Sequence, residues 1–188
     1  MAASTPTASG ALDRRAAVAA LLKGRRDLLV VTGLGSASYD VHAAGDRDDN
    51  YYLWGAMGGA ALVGLGLAQA QRQRPVLVIT GDGEQLMAFG SLATITVAKP
   101  RNLVVAVIDN GHYGETGMQV SHTGLGIDLA KVASACGFAE CATLTRLQQV
   151  ETLAGTVSKP ADGPRLYVIK VAADSPPRSR MRSASGPA

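Results

Sequence analysis

The sequence is poor in aromatic residues and in cysteine, and it lacks an apolar run long enough to cross a membrane. Phe, Trp and Tyr together make up 4% of the chain. The two cysteines, Cys136 and Cys141, are spaced too simply for a zinc site, so we expect reduced packing residues. The N-terminus also lacks the basic start and apolar core of a secretory signal. These absences favour a cytoplasmic protein without a membrane association.

A strong charge of one sign is also missing. The 188 residues include 18 basic and 15 acidic side chains, which gives a net charge of +3. Without a basic stripe interleaved with aromatics, we do not expect nucleic-acid binding. Composition shifts predict a disordered N-terminus over 1–10, one domain over 11–172, and a disordered basic tail over 173–188.

The most informative part of the chain is a strand–helix–strand pattern. Apolar runs predict buried strands at Val76–Thr80 and Leu103–Ile108, and a helix at Gln85–Ala98 lies between them. Similar patterns along the chain predict an α/β fold, with a doubly wound, mainly parallel sheet and helices on both faces. The other expected helices are 11–23, 36–42, 60–71, 127–137 and 145–158, and the other expected strands are 27–32, 51–53, 138–143 and 166–171.

Each of the two central strands ends in a polar turn, Gly81-Asp82-Gly83 or Asp109-Asn110-Gly111. The carboxyl ends of parallel strands are where open α/β sheets bind ligands. Asp82 offers a carboxylate and Asn110 an amide oxygen, a small oxygen set that suits Mg²⁺ when phosphates complete the octahedron. The start of the following helix favours a phosphate as well. The unit therefore predicts a site for Mg²⁺ and a diphosphate together.

The two turns resemble the signature of thiamine-diphosphate enzymes, in which a GDG motif is followed by a pair of asparagines. Asp109 departs from the first asparagine, whereas Asn110 keeps the one that contacts the metal. The resemblance implies a thiamine-diphosphate-binding fold and three metal ligands: Asp82, Asn110 and the carbonyl of His112. It implies a cofactor site of Gly55, Ala56, Met57, Gly81, Asp82, Gly83, Glu84, Asn110, His112, Tyr113 and Gly114.

The stretch from Tyr52 to Gly66 resembles a second segment of that family. There a bulky residue, Met57 in this chain, props the cofactor in its bent shape. The carbonyl of Gly55 and the N–H of Met57 would hold the aminopyrimidine. An unbranched methionine is suited to wedging between two rings.

The chain also resembles the β-subunit of sulfopyruvate decarboxylase and the C-terminal part of phosphonopyruvate decarboxylase. It rests on Asp46-Arg47, the segment around Met57, residues 81–95 and residues 109–119. It implies one subunit of a decarboxylase for a small 2-oxo acid, assembled as a homo- or hetero-oligomer. The glutamate that activates the cofactor belongs to a pyrimidine-binding domain, so a separate α-subunit is expected. Candidate catalytic residues are His112, Glu115 and His122.

Two carboxylates depart from the family pattern. Glu84 and Glu115 stand where small residues are usual, and a carboxylate near a sulfonate, phosphonate or diphosphate is repulsive if it faces it. The substrate can therefore differ from both family substrates. Two alternatives stay open: a subunit of another thiamine enzyme, such as a carboligase or an oxo-acid oxidoreductase, or a non-catalytic binding module on the same fold.

Overall fold

The computed structural model describes residues 11–174, 176–177 and 179. Two regions expected to be disordered, residues 1–10 and most of the tail, lie outside these described residues. The strands are β1 (Leu29–Thr32), β2 (Asn50–Tyr52), β3 (Val76–Gly81), β4 (Leu103–Asp109), β5 (His112–Tyr113), β6 (Gln119–Val120), β7 (Glu140–Leu144) and β8 (Arg165–Lys170). The helices are α1 (Arg14–Leu22), α2 (Ser36–Ala43), α3 (Ala60–Ala70), α4 (Asp82–Met87), α5 (Ser91–Ala98), α6 (Leu129–Cys136) and α7 (Leu147–Ala154).

Six strands form one parallel sheet in the order β2-β1-β3-β4-β8-β7. Strands β3 and β4 lie side by side at its centre, so the turns after them meet at the same edge. Their side chains alternate between two apolar cores. Val76 and Val78 face the layer of α3, α5 and α6, whereas Leu77 and Ile79 face α1, α2 and α7. The predicted doubly wound α/β sheet with helices on both faces is confirmed.

The helix expected at Gln85–Ala98 was wrong as a single element. The structure has α4, which begins already at Asp82, and α5, which begins after a break at Ala88–Gly90. The side chain of Gln85 is buried and donates to the carbonyl of Ala88 and to the hydroxyl of Ser91, at 3.4 and 3.2 Å. The Ala88 carbonyl also accepts from the Ser91 amide at 2.9 Å, so Gln85 and Ser91 both bond to the break.

A small hairpin was not predicted. Strands β5 and β6 pair antiparallel and are joined through a 3₁₀ turn at Gly114–Thr116. Each strand has only two residues, which is too short for an alternating pattern to appear in the sequence. The hairpin follows β4 directly, and so it lies at the carboxyl edge of the sheet.

Candidate cofactor site

A cavity of about 130 Å³ opens at the carboxyl edge of the sheet, where the turns after β1, β3 and β4 converge. It contains both turns singled out in the sequence, together with Met57 from the approach to α3. The residues that line it are Arg14, Leu34, Ser36, Ala37, Met57, Gly81, Asp82, Gly83, Glu84, Met87, Ile108, Asn110, His112, Tyr113, Gly114, Glu115 and Thr116.

Asp82 is the first residue of α4 and is 2% exposed. Its Oδ2 atom accepts hydrogen bonds from the hydroxyls of Ser121 and Thr123, at 2.5 and 2.8 Å. Neither of these two bonds uses Oδ1. Burial raises the pKa of Asp82, and the hydroxyl bonds oppose that shift, while the nearby Asp109 charge adds to it.

Asp109, the departure from the family pattern, is compensated by a partner on β8. Its Oδ2 atom lies 2.6 Å from the ammonium of Lys170, and its side chain is fully buried. Its Oδ1 atom accepts from the Gly111 amide at 2.9 Å and lies 2.8 Å from the Thr123 hydroxyl, whose single proton goes to either Asp82 or Asp109. Thr123 thus lies between two carboxylates, Asp82 and Asp109.

Asn110 and His112 belong to the tight turn after β4 and line the same cavity as Asp82. The Asn110 amide oxygen accepts from the His112 N–H at 3.0 Å, and the His112 ring Nδ1 lies 2.8 Å from the Asn110 carbonyl. The fold therefore brings together the two side chains predicted to bind a metal. The role of the His112 carbonyl as a third ligand stays a prediction.

Tyr113 explains why the second glycine of the GDG turn is needed. A Cβ atom on Gly83 would lie 2.6 Å from Cδ1 of the Tyr113 ring, so the ring packs directly on the glycine. The Tyr113 hydroxyl lies 2.7 Å from Nδ1 of His122. His122 is exposed and does not line the cavity, so the structure does not bring this candidate catalytic residue to it.

Both unusual glutamates contact the loop after β1. The Glu84 carboxylate accepts from the Leu34 amide, and its burial raises its pKa against the lowering effect of its hydrogen bonds. Glu115 is exposed, and its Oε1 atom lies 3.4 Å from the Ser36 hydroxyl. Gly35 has a φ of +71°, and a Cβ there would lie 2.5 Å from the same oxygen.

The turn before α3 brings only one of its three predicted residues to the cavity. Met57 lines the cavity and is 45% exposed, whereas Gly55 and Ala56 are exposed beside it. Gly55 has a φ of +78°, a backbone conformation that glycine adopts without a steric penalty. The predicted contacts of Gly55 and Ala56 with a cofactor stay predictions.

The sequence analysis missed Ser121, Thr123, Lys170 and Arg14. The first two are hydroxyls two residues apart on a loop, and only folding shows that both point at Asp82. Arg14 is 6% exposed, pairs with the buried Asp40 at 2.5 Å and is the only Lys or Arg among the described residues that line the cavity. An arginine at a helix start carries no sequence signal for either contact.

The donor set fits a hard cation that also binds a phosphate ligand. Among the described residues there is no group of three or more His, Cys, Asp or Glu side chains that would hold a metal by themselves. Of the side chains predicted to bind a metal, Asp82 offers a carboxylate and Asn110 an amide oxygen at this cavity. Mg²⁺ typically takes one or two carboxylates and completes its octahedron with substrate phosphates and water.

The family model of the thiamine pyrophosphate enzyme C-terminal, TPP-binding domain matches residues 33–171. This chain belongs to that family of thiamine pyrophosphate enzymes. Apart from Arg14 in α1, the described residues that line the cavity all lie within this match.

Curated relatives place this thiamine pyrophosphate enzyme domain among decarboxylase sequences. It is 40% identical to a phosphonopyruvate decarboxylase of Streptomyces viridochromogenes over 90% of this chain and 41% of that protein. It is also 40% identical to sulfopyruvate decarboxylase subunit beta of Methanocaldococcus jannaschii, over 65% of this chain and 64% of that protein. The chain therefore spans less than two thirds of the length of either relative.

Solved structures support the fold of this thiamine pyrophosphate enzyme domain. The thiamine diphosphate-dependent 4-hydroxybenzoylformate decarboxylase of Rhodococcus jostii superposes with a TM-score of 0.75 at 21% identity, over 92% of this chain and 35% of that one. Within the part of the chain that the structure describes, none of the helices has the length and apolarity needed to cross a membrane.

Proposed function

We propose that this chain is the cofactor-binding β-subunit of a 2-oxo acid decarboxylase that uses thiamine diphosphate and Mg²⁺. The observation that carries the proposal is the convergence of Asp82, Asn110 and Met57 on one cavity at the carboxyl edge of the sheet. The kinship with sulfopyruvate decarboxylase subunit beta and phosphonopyruvate decarboxylase supports the reaction class.

In this proposal Asp82 and Asn110 hold Mg²⁺ through their side-chain oxygens, and His112 contributes its carbonyl. Gly81 leaves open space beside it, so the backbone there can approach the diphosphate closely, whereas Gly83 makes room for the Tyr113 ring. Gly114 and Tyr113 close the same end. Bound thiamine diphosphate supplies the electron sink for cleavage of the carbon–carbon bond beside the 2-oxo group, and the protein binds and orients it.

The other end of the cofactor would rest on Met57, with the Gly55 carbonyl and Met57 N–H facing its aminopyrimidine. Two further carboxylates line the cavity, Glu84 after the turn of Asp82 and Glu115 after the turn of Asn110. Glu84 accepts from the Leu34 amide after β1, and Glu115 lies beside the Ser36 hydroxyl at the start of α2. We assign neither of them to the far nitrogen of a pyrimidine, because the Glu84 carboxylate is already bound by the Leu34 and Gly58 amides and Glu115 follows the turn of Asn110. A pyrimidine-binding α-subunit would supply that glutamate, which fits the name "subunit beta" of the relative.

The substrate we propose is a 2-oxo acid less anionic than sulfopyruvate or phosphonopyruvate. Glu115 lines the cavity and adds a negative charge where a second anionic group of such substrates would enter. His112 lines the same wall and remains a candidate for a substrate contact. His122 is exposed and bonds to the Tyr113 hydroxyl, so it remains a candidate catalytic residue only through that hydroxyl.

The proposal can be tested by removing the Asp82 carboxylate, the proposed metal ligand. We expect Asp82→Ala to abolish Mg²⁺-dependent binding of thiamine diphosphate, measured by calorimetry, while circular dichroism shows an unchanged fold. The Ser121 and Thr123 hydroxyls lie 2.9 Å apart, so they can bond to each other when the carboxylate is gone. Asp162→Ala, at a fully exposed side chain, is the control. Unchanged binding in a folded Asp82→Ala protein would refute the assignment.

A further inference from the structure

The carboxylate of Glu84 lies between three segments of the cavity wall, although it is only 8% exposed. Its Oε2 atom accepts from the Leu34 amide and the Thr80 hydroxyl, both at 3.0 Å, and Oε1 accepts from the Gly58 amide at 3.3 Å. The two amides can only donate, and they face different oxygens of the side chain. An ionised carboxylate, which only accepts, is the one side-chain group that satisfies both at once.

Gly33 provides the room for this contact. A Cβ atom at Gly33 would overlap the Oε2 atom of Glu84. Gly33 does not adopt a left-handed φ, so its backbone conformation is open to other residues and space alone demands glycine. The buried Glu84 and the missing side chain at Gly33 are therefore complementary.

We propose that Glu84 is a positioning residue for cofactor binding: it fixes the turn that carries Met57 against the turn that carries Asp82. Gly58, whose amide it binds, directly follows Met57, and Leu34 lies in the same cavity wall. The inference rests on the proposed function, because it assigns Glu84 to the ring end of thiamine diphosphate. Its carboxylate is turned toward Leu34 and Gly58, so it does not act on the diphosphate itself.

This geometry separates two parts of the ligand. Asp82 and Asn110 would bind Mg²⁺ and the diphosphate, and their bonds to Ser121, Thr123 and His112 do not involve Glu84. Loss of the Glu84 carboxylate should therefore leave binding of Mg²⁺ with inorganic pyrophosphate intact. It should weaken only a ligand that also has rings to place against Met57.

Trp54 reports on the turn without any ligand. It is the only tryptophan of the chain and lies four residues before Gly58. Its ring packs edge-on against Tyr39, with 5.7 Å between ring centroids, and it is 49% exposed. Its fluorescence anisotropy and its quenching by acrylamide therefore measure how firmly the turn is held.

The experiment compares the full chain with the variant Glu84→Gln. The glutamine would direct its own N–H group at a backbone N–H group, so one donor is left without an acceptor. Glu151→Gln, on an exposed face of α7, is the control. We expect Glu84→Gln to lower the affinity for Mg²⁺–thiamine diphosphate about tenfold, a typical cost of one buried unsatisfied donor. The affinity for Mg²⁺–pyrophosphate should stay within about twofold, and Trp54 should become less anisotropic and more readily quenched. Gly33→Ala, which displaces the same carboxylate by overlap, should reproduce this pattern and replaces Glu84→Gln if that protein does not fold.

Equal losses for both ligands would overturn the inference, because they would make Glu84 a general structural residue. Unchanged Trp54 fluorescence in both variants would also overturn it. If the unmodified chain binds pyrophosphate but not thiamine diphosphate, the cofactor assignment fails and the role of Glu84 in binding it fails too. The Trp54 comparison would then still show whether Glu84 holds the turn.

Discussion

At the scale of single residues, the partners of each side chain decide what it can do in the cavity. Asp109 is a carboxylate where the family signature has an asparagine. The ammonium of Lys170 on β8 lies 2.6 Å from its Oδ2 atom and compensates the charge. The Thr123 hydroxyl has one proton and three acceptors within reach, namely Asp82, Asp109 and Ser121. It can therefore donate to only one of them at a time. The turn beside Asp82 is therefore rich in acceptors, as a cation site requires.

Removing the Lys170 charge should destabilise the protein through Asp109. Lys170→Met leaves a fully buried carboxylate without its counter-charge, and we expect a loss of about 1–3 kcal/mol in the free energy of unfolding, since Lys170 itself is partly exposed. Urea unfolding measures the change. The double variant Lys170→Met/Asp109→Asn should recover most of the loss. A double variant no more stable than Lys170→Met alone would contradict the pairing.

Cys141 should make the protein less stable in alkali. Burial raises the pKa of the Cys141 thiol from 9.0 to about 11. Because the folded state favours the neutral thiol, its contribution is fully present below pH 9 and is lost as the pH rises to about 11. The urea midpoint should therefore fall over this range, and fall less in Cys141→Ala than in Cys136→Ala. Equal slopes in the two variants would contradict the prediction.

At the scale of elements, the sequence predicts the strands and helices whose own run of apolar residues determines them. The strands β3, β4 and β8 and the helix α2 lie within one residue of their expected bounds. The break between α4 and α5 could not be predicted, because it depends on Gln85 bonding to Ala88 and Ser91 within an otherwise helical pattern. The β5–β6 hairpin depends on tertiary packing over Gly83 rather than on periodicity.

Two glycines within α3 should respond oppositely to alanine. A Cβ on Gly64 would overlap Val78 of β3, whereas a Cβ on Gly66 would meet nothing within 4 Å. Gly66→Ala should stabilise the protein by about 1 kcal/mol through helix propensity. Gly64→Ala should destabilise it by about 1–3 kcal/mol through overpacking, a cost that Val78→Ala should reduce. Thermal unfolding distinguishes them, and a stabilised Gly64→Ala protein would contradict the close packing of α3 on β3.

At the scale of the whole molecule, the candidate site follows from topology as much as from motifs. The turns around Asp82 and Asn110 could be paired from the sequence because neighbouring parallel strands end at one edge. The contacts of Glu84 with Leu34 and Gly58 could not, since they join segments far apart in the chain. Arg14 and Lys170 reach the site from the first helix and the last strand for the same reason.

The chain also leaves one side of its site open, and this leads to the prediction on assembly. Met57 is 45% exposed, and near it on α3 lie Leu62 and Val63, 44% and 36% exposed. The apolar face around Gly55–Gly66 is therefore free among the described residues to pack against another subunit. We expect homo-oligomers through this face, which sedimentation would measure, and Leu62→Glu should weaken them while Glu151→Gln should not.

We further expect the purified chain to decarboxylate nothing by itself, because the Glu84 carboxylate is already bound by the Leu34 and Gly58 amides and the activating glutamate is proposed to come from the α-subunit. Activity should appear when a pyrimidine-binding subunit is added, in an arrangement such as α₂β₂ or larger. The measurement is CO₂ release from a panel of 2-oxo acids with thiamine diphosphate and Mg²⁺, with and without the partner. Asp82→Ala in the reconstituted complex should abolish the release, since it removes a proposed metal ligand and leaves the proposed interface unchanged. Robust turnover by this chain alone would show that the activating group lies within it. The proposed assignment of that group to a separate α-subunit would then be wrong.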